Sequence, residues 1–389
     1  MPTLPPPASR RPMTERDPAQ TPDRVRVEHD VRRLVREEIQ ALSAYHVQPA
    51  AGLIKLDAME NPYPWPAELR QDWLTRLREA PLHRYPDPTA AALQARLRAD
   101  WGLPPGVELL LGNGSDELIQ LLVMALARPG ARVLIPEPTF VMYRQLAQSV
   151  GLACEAVPLR ADFDLDLPAM LAAMERHRPA IVFLAQPNNP TGQLLAPEVL
   201  ARLVEAAPGL VVVDEAYAPF ADFTALPWLA GRDNLIVLRT FSKLGLAGLR
   251  LGVLAAPAGW QAALEKIRLP YNVGVLTQLT MMHVLDHPDV LADQAAAICA
   301  ERARLQAALA ALPGVEVWPS QANFLLFRVG AGAPRVHHRL REAGVLIKCL
   351  HGAHPLLADC LRVTVGTPAE NESFLHGLRA ALAAAPGPL

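Results

Sequence analysis

The sequence predicts an α/β fold, in which a large domain with a mostly parallel, seven-stranded sheet precedes a smaller α+β C-terminal domain. Seven short apolar runs alternate with segments of helical period between residues 107 and 254. That rhythm is typical of a sheet covered by helices on both faces. After Pro270 it changes to one long helical region and then shorter strand candidates. With 389 residues, the chain is long enough for two domains.

The N-terminal part of the chain is predicted to be a tail followed by helices. Residues 1–28 are rich in Pro, Arg and polar residues and show no apolar period, which predicts a disordered tail. Apolar residues then recur at helical spacing at 31, 34, 35, 39 and 42. The proline-rich stretch NPYPWP at 61–66 interrupts this pattern, and helical patterns follow at 67–80 and 90–101.

The strand candidates of the large sheet are short apolar runs bounded by turn residues. They are residues 108–111, 132–135, 155–157, 180–184, 210–213, 235–239 and 250–254, and helical segments at 116–127, 168–176 and 197–206 lie between them. The smaller domain is predicted from a helical region at 277–312, strand candidates at 315–318, 323–328, 346–348 and 360–365, and a terminal helix at 368–384. Chemistry in such sheets sits at the carboxyl ends of the strands.

Composition and charge exclude several classes of protein. The 37 Lys and Arg against 39 Asp and Glu give a net charge of −2 without a basic block, which argues against a dedicated nucleic-acid binder. The four cysteines show no paired spacing, and the histidines are scattered, so we expect no metal site and no disulfide scaffold. No apolar run approaches the ~18 residues of a membrane span. The N-terminus also lacks a signal-peptide pattern, so we expect a cytoplasmic protein.

Lysine is scarce in this chain, because only Lys55, Lys243, Lys266 and Lys348 stand among the 37 basic residues. Genomic composition explains the total. Arginine cannot replace a lysine that serves as an amine nucleophile. The positions of the four lysines are therefore informative.

Polar motifs follow three consecutive strand candidates, at the end where chemistry is expected. QPNNPTG (186–192) follows IVFLA, DEAY (214–217) follows LVVV, and TFSKLGLAGLR (240–250) follows LIVLR. Two asparagines between prolines make a rigid turn. A carboxylate such as Asp214 at the end of an apolar strand needs a cationic partner. The third motif places Lys243 beside a serine in a glycine-rich loop.

Together these residue types suit pyridoxal phosphate. That cofactor needs a lysine that forms a Schiff base with its aldehyde, and a carboxylate against its pyridinium nitrogen. It also needs hydroxyls, backbone N–H groups and an arginine around its phosphate. Lys243, Asp214, Ser242 and Arg250 are of these types. GNGSDE (112–117), which opens a helix after a strand candidate, could add backbone N–H groups.

The ordered set NNPTG, DEAY and TFSK resembles the fold-type I PLP-dependent aminotransferases, over nearly all of residues 30–385. Five further motifs narrow the resemblance to the class II branch that contains the histidinol-phosphate aminotransferases. They are LDAMENPYP (56–64), RYPDP (84–88), PTFVMY (138–143), SQANFLLF (320–327) and CLRVTVGT (360–367). The resemblance implies an N-terminal arm at 29–60 that contributes to the small domain and a dimer. It also implies a large PLP-binding domain at 61–274 and a small domain at 275–389.

The resemblance further implies transamination between glutamate and imidazole-acetol phosphate, which yields 2-oxoglutarate and histidinol phosphate in histidine biosynthesis. Lys243 would be the Schiff-base lysine and proton shuttle, and Asp214 would pair with the pyridinium nitrogen. Asn189 and Tyr217 would bond the ring's phenolic oxygen, and Phe140 would stack on the ring.

By the same resemblance, Ser242, Arg250 and the backbone of Ser115 and Asp116 would hold the cofactor phosphate. Tyr85 would reach the phosphate of the neighbouring subunit's cofactor, which implies a homodimer with shared active sites.

On the substrate side, the resemblance implies that Arg362 grips the anionic end of either substrate, with Tyr45 and Asn323 at the substrate mouth. Lys348 stands where many relatives carry a second phosphate-binding arginine, and a lysine lacks the bidentate fork. Met59 stands where an asparagine is common in the branch. The loop after Lys243 is one residue shorter than in many relatives.

Three alternatives remain open at this point. An aromatic-amino-acid aminotransferase of the same branch and a PLP-dependent phospho-amino-acid decarboxylase share the motif order. A non-catalytic, PLP-sensing regulatory module would normally follow a helix-turn-helix domain, and we expect only a short Pro/Arg-rich tail before this fold.

Overall fold

The computed structural model describes residues 21–44, 47–330 and 332–384, without the side chains of 21–25. The chain divides into two units, 1–45 and 46–389. In the first unit, α1 spans Thr21–Leu34 and α2 spans Glu37–Gln40. The predicted disordered tail at 1–28 is therefore wrong for residues 21–28, whose Arg, Glu and Val residues are compatible with a helix. Residues 1–20 lie outside the described part.

The second unit contains all the strands and eleven of the thirteen α-helices of the described chain. Its strands are β1 (Ile54–Lys55), β2 (Val107–Asn113), β3 (Arg132–Glu137), β4 (Ala153–Pro158), β5 (Ile181–Ala185), β6 (Leu210–Asp214), β7 (Leu235–Thr240), β8 (Leu251–Pro257), β9 (Val315–Val317), β10 (Phe324–Val329), β11 (Val345–Leu346), β12 (Lys348–Cys349) and β13 (Cys360–Thr364). Its helices are α3 (Ala67–Leu77), α4 (Ala91–Asp100), α5 (Ser115–Leu126), α6 (Met142–Ser149), α7 (Leu167–His177), α8 (Pro197–Ala206), α9 (Ala258–Glu265), α10 (Val275–Leu285), α11 (Pro288–Ala310), α12 (Ala333–Glu342) and α13 (Pro368–Ala383).

The large sheet has the seven predicted strands, in the order β2-β8-β7-β6-β5-β3-β4. β8 alone runs in the direction opposite to the other six strands, so the prediction of a mostly parallel sheet is confirmed. Every residue of β5 and β6 is buried. Alternate residues enter two different apolar clusters, Val182 and Val211 on one side and Phe183 and Val212 on the other. Such apolar runs are what a sheet covered on both faces requires.

The smaller sheets form from the ends of the second unit. β12-β13-β10-β9 is an antiparallel sheet, and β1 pairs with β11 in parallel. The single strand predicted at 346–348 is wrong, because Ile347 separates β11 from β12 and the two join different sheets. The helical region predicted at 277–312 contains two helices, α10 and α11, because Pro288 lacks the N–H that would continue α10. The domain boundary at 274/275 stays a prediction.

Within the described ranges, none of the helices combines the length and the apolar character that crossing a bilayer would require.

A buried ion pair joins β6 to β7 beside their carboxyl ends. The side chain of Glu215 is 0% exposed and accepts hydrogen bonds from Arg239 Nε (3.0 Å) and Nη2 (2.9 Å) and from Thr224 Oγ1 (2.9 Å). The Arg239 guanidinium also lies 5.0 Å from the ring centre of Trp101. All these groups are satisfied, so the pair holds two adjacent strand ends in one arrangement.

We expect Arg239→Met to lower the free energy of unfolding by about 3–5 kcal/mol, because it leaves the Glu215 carboxylate buried without its cation. Urea denaturation measures the change. The matched control is Arg202→Met, since Arg202 pairs with Glu205 on the surface (62% and 57% exposed), and exposed pairs contribute about 0–1 kcal/mol. Equal losses in the two variants would contradict the prediction.

Candidate active site

A cavity of about 240 Å³ opens at the carboxyl ends of the central parallel strands. Three strand ends meet there because β5, β6 and β7 pair in register, with Ala185 opposite Asp214 and Asp214 opposite Leu238. The cavity is lined by Ala58, Met59, Glu60, Ser115, Asp116, Phe140, Tyr143, Ala185, Pro187, Asn189, Asp214, Ala216, Tyr217, Thr240, Ser242, Lys243, Ala247 and Arg250. Most of the predicted cofactor residues therefore lie around one space.

Lys243 lies in the short 3₁₀ turn Ser242–Leu244 directly after β7. Its Nζ donates a hydrogen bond to the Ala58 carbonyl (3.3 Å) and lies 5.9 Å from the ring centre of Tyr217. Burial, with a smaller contribution from the nearby Arg362 guanidinium, lowers the pKa of the Lys243 amine to about 8. A much larger fraction of this amine is neutral near neutral pH than of an ordinary lysine.

Asp214 ends β6 and is 4% exposed. Burial raises the pKa of its carboxyl group to about 6, against two hydrogen bonds that lower the pKa. Tyr143 Oη donates to Oδ2 (2.7 Å), and the Ala216 N–H donates to Oδ1 (3.1 Å). The motif PTFVMY (138–143) did not by itself identify Tyr143 as a functional residue. The available signal was a tyrosine in the helix after β3, whose carboxyl end faces the same edge of the sheet.

The side chain of Asn189, which lines the cavity, contacts the side chain of Arg362. Arg362 Nη1 donates to Asn189 Oδ1, and Nη2 donates to the Asp57 carbonyl (3.0 Å). Both side chains are nearly buried, at 7% and 6% exposed. Arg362 also lies over the ring of Phe324, 5.3 Å from its centre. A cation is thus held beside the predicted cofactor residues.

The glycine-rich turn before α5 forms a cup with Arg250. The Arg250 Nη2 atom lies 3.6 Å from Asp116 Oδ2. Any Cβ at Gly114 would lie 2.6 Å from Arg250 Nη2, and a Cβ at Gly252 would lie 2.4 Å from the Ser115 nitrogen. Only glycines permit this close approach. The N–H groups that open α5 and the guanidinium together form an anion site.

Residues 57–60, which we call the mouth strap, close one side of the cavity. Met59 has a left-handed backbone (φ 54°), its N–H donates to Thr364 Oγ1 (2.9 Å), and its carbonyl accepts from Asn323 Nδ2 (2.9 Å). Asn323 is fully buried behind Met59 and does not line the cavity. Its predicted place at the substrate mouth is corrected, because the side chain holds the strap instead.

Two other predicted residues do not line the cavity, and a third is outside the described part of the chain. Tyr85 is 79% exposed and stacks on Tyr271, with 4.4 Å between the ring centres. Lys348 lies opposite Arg362 in the β12–β13 pair, so the two side chains leave the same face of that sheet. Tyr45 lies outside the described residues.

The donor set fits pyridoxal phosphate. The cavity is lined by the partly neutral Lys243 amine, the buried Asp214 carboxylate, the anion site at Arg250 and the ring of Phe140. The cofactor's aldehyde, ring nitrogen and phosphate require these three groups in one site.

Comparisons with known proteins agree with this geometry. The family model for aminotransferase class I and II matches residues 51–378. "Histidinol-phosphate aminotransferase 2" of Nitrosococcus oceani is 55% identical over 89% of this chain and 96% of its own length. "Histidinol-phosphate aminotransferase" of Chromobacterium violaceum is 53% identical over 90% and 98%.

Among solved structures, the histidinol-phosphate aminotransferase of Sinorhizobium meliloti in complex with pyridoxal-5'-phosphate is similar, with a TM-score of 0.80 and 26% identity. That match covers 89% of this chain and 96% of the other. The chain belongs to the class I and II aminotransferase family.

Proposed function

We propose that this protein is a PLP-dependent aminotransferase that moves an amino group between glutamate and imidazole-acetol phosphate, forming 2-oxoglutarate and histidinol phosphate in histidine biosynthesis. The observation that carries the proposal is that Lys243 and Asp214 line one cavity, with Arg362 hydrogen-bonded to Asn189, another residue of its lining. The family membership and the names of relatives more than 50% identical support the substrate.

Pyridoxal phosphate, when bound, supplies the electron sink that stabilises a carbanion at the substrate's α-carbon. Lys243 Nζ is the nucleophile and afterwards the base that takes and returns the α-proton. A pKa of about 8 suits both tasks, because a catalytic base works best with a pKa near the working pH. Until it reacts, Lys243 Nζ is held inside the cavity by its hydrogen bond to the Ala58 carbonyl.

The other cavity residues hold the cofactor in a reactive state. The Asp214 carboxylate would keep the ring nitrogen protonated, and Asn189 and Tyr217 would hydrogen-bond the phenolic oxygen. Phe140 would cover one ring face. The phosphate would be bound by the N–H groups of Ser115 and Asp116, the Ser242 hydroxyl and the Arg250 guanidinium.

Arg362 binds the anionic end of each substrate in turn, the carboxylate of glutamate or the phosphate of histidinol phosphate. In the structure its donors are occupied by the side chain of Asn189 and the carbonyl of Asp57. An arriving substrate anion replaces these neutral acceptors with a charged one, which forms stronger hydrogen bonds. Lys348, on the same sheet face, adds a second positive charge for the phosphate.

The active enzyme is a cytoplasmic homodimer in which Tyr85 reaches the phosphate of the partner's cofactor. Tyr85 and Tyr271 form an exposed aromatic pair, and Leu269 beside them is 71% exposed. Exposed apolar residues of this size, grouped together, are typical of an interface.

Purified protein with pyridoxal phosphate and 2-oxoglutarate tests the substrate. Histidinol phosphate should turn over faster than phenylalanine, and no carbon dioxide should leave a phospho-amino acid. Faster turnover of phenylalanine would support the aromatic aminotransferase, and bound cofactor without any transamination would support the sensor module.

Arg362→Lys should lower kcat/KM by about 100-fold for glutamate and for histidinol phosphate, because the bidentate charged contact is lost.

Lys348→Met should lower kcat/KM about tenfold for histidinol phosphate and less than about threefold for glutamate, because a phosphate carries more charge than a carboxylate. The exposed lysine variant Lys266→Met is the control. Equal effects of Lys348→Met on both substrates would assign Lys348 to the solvated surface.

The lowered pKa of Lys243 predicts a pH-dependent cost in stability. Between pH 10.5 and about 8 the unfolded chain binds a proton at this lysine that the folded protein does not, so folding weakens as pH falls through this window. In cofactor-free protein, Lys243→Met should therefore gain up to about 3 kcal/mol relative to the unaltered chain as pH falls from 10.5 to 8. Urea denaturation at several pH values measures it, with Lys266→Met as control. A pH-independent difference would refute the prediction.

A further inference from the structure

We propose that Tyr143 is a positioning residue that keeps the Asp214 carboxylate ionised and aimed at the ring nitrogen of the bound cofactor. This inference rests on the proposed function, because it concerns the group that Asp214 serves. Tyr143 itself would act only through the Asp214 carboxylate.

The Tyr143 hydroxyl is buried beside the Asp214 carboxylate. Tyr143 is 0% exposed, and its hydroxyl lies 2.7 Å from Asp214 Oδ2. Burying a hydroxyl is unfavourable unless it is hydrogen-bonded, and a bond to a carboxylate is among the stronger ones in proteins. A phenylalanine would fill this apolar place without that requirement, so packing alone does not explain a tyrosine here.

The ring of Tyr143 cannot turn away from Asp214. Tyr143 stacks on Phe183, with 4.8 Å between ring centres and 2° between planes. On its other side, Phe140 meets the ring edge to face at 5.5 Å. The hydroxyl therefore has a fixed position, which a positioning residue needs.

The hydrogen bonds from Tyr143 and Ala216 occupy only part of the Asp214 carboxylate. Tyr143 uses one lone-pair site of Oδ2, and the Ala216 N–H uses one of Oδ1. A carboxylate offers about four such sites. Asp214 lines the cavity, so the remaining capacity is available to a donor inside it.

The charges around Asp214 show why a second donor matters. Burial raises the pKa of Asp214 to about 6; the Tyr143 and Ala216 hydrogen bonds lower this pKa, Asp116 on α5 raises it, and Lys243 after β7 lowers it. Burial and the Asp214 charge also hold the pKa of Tyr143 well above its ordinary value, with a smaller contribution from Tyr217. Tyr143 thus stays a proton donor, and its loss would bring the pKa of Asp214 closer to neutral pH.

The experiment measures the affinity for pyridoxal phosphate, by absorbance, between pH 5 and 9. Wild-type protein should lose affinity as pH falls through the pKa of Asp214, because the protonated acid no longer attracts the ring nitrogen. In Tyr143→Phe the acid midpoint should move up by about two pH units, and the affinity at pH 7 should therefore fall about tenfold.

A double-mutant cycle separates positioning from packing. In an Asp214→Asn background, Tyr143→Phe should change the affinity less than about twofold. A tenfold loss in that background, or an unshifted midpoint in the single variant, would overturn the inference.

Should Tyr143→Phe fail to fold, 3-fluorotyrosine placed at position 143 provides the test. Its more acidic hydroxyl donates more strongly, so the acid midpoint should move down, and an unmoved midpoint would overturn the inference. The proposed function fails separately, if wild-type protein binds no pyridoxal phosphate at any pH.

Discussion

The in-register parallel pairing of β5, β6 and β7 is the constraint on which the rest of the site depends. Parallel strands place all their carboxyl ends at one edge of a sheet, and register decides how far each end projects. Because Asp214 lies opposite Ala185 and Leu238, the segments that follow the three strands must enclose one space. The buried pair of Glu215 and Arg239 then holds two of these ends together.

The same arrangement buries an amine and a carboxylate that would each be better solvated in water. Burial disfavours the charged form of both, which lowers the pKa of Lys243 and raises that of Asp214. Titratable groups with strongly shifted pKa values are typical of active sites. Burying these groups lowers the stability of the protein, and the apolar core formed by the surrounding strands compensates for that loss.

Much of the fold could be predicted because its signals are local. The apolar runs of β5 and β6 and the motifs that follow them are contiguous in sequence, and parallel-sheet geometry alone brings those motifs together. The predictions that were wrong involve competing neighbours. The strand predicted at 346–348 includes Ile347 because the sequence does not show which sheet each half joins.

The sequence determined the residue types of the proposed catalytic set: one aspartate, one lysine and one arginine, in this order after apolar strands. Only the tertiary structure decided their surroundings. Tyr143 touches Asp214 from 71 residues away, Asn323 holds Met59 from 264 residues away, and Arg362 reaches Asn189 across 173 residues. Such contacts depend on how separate elements pack, and no local period or motif encodes which side chains meet when they do.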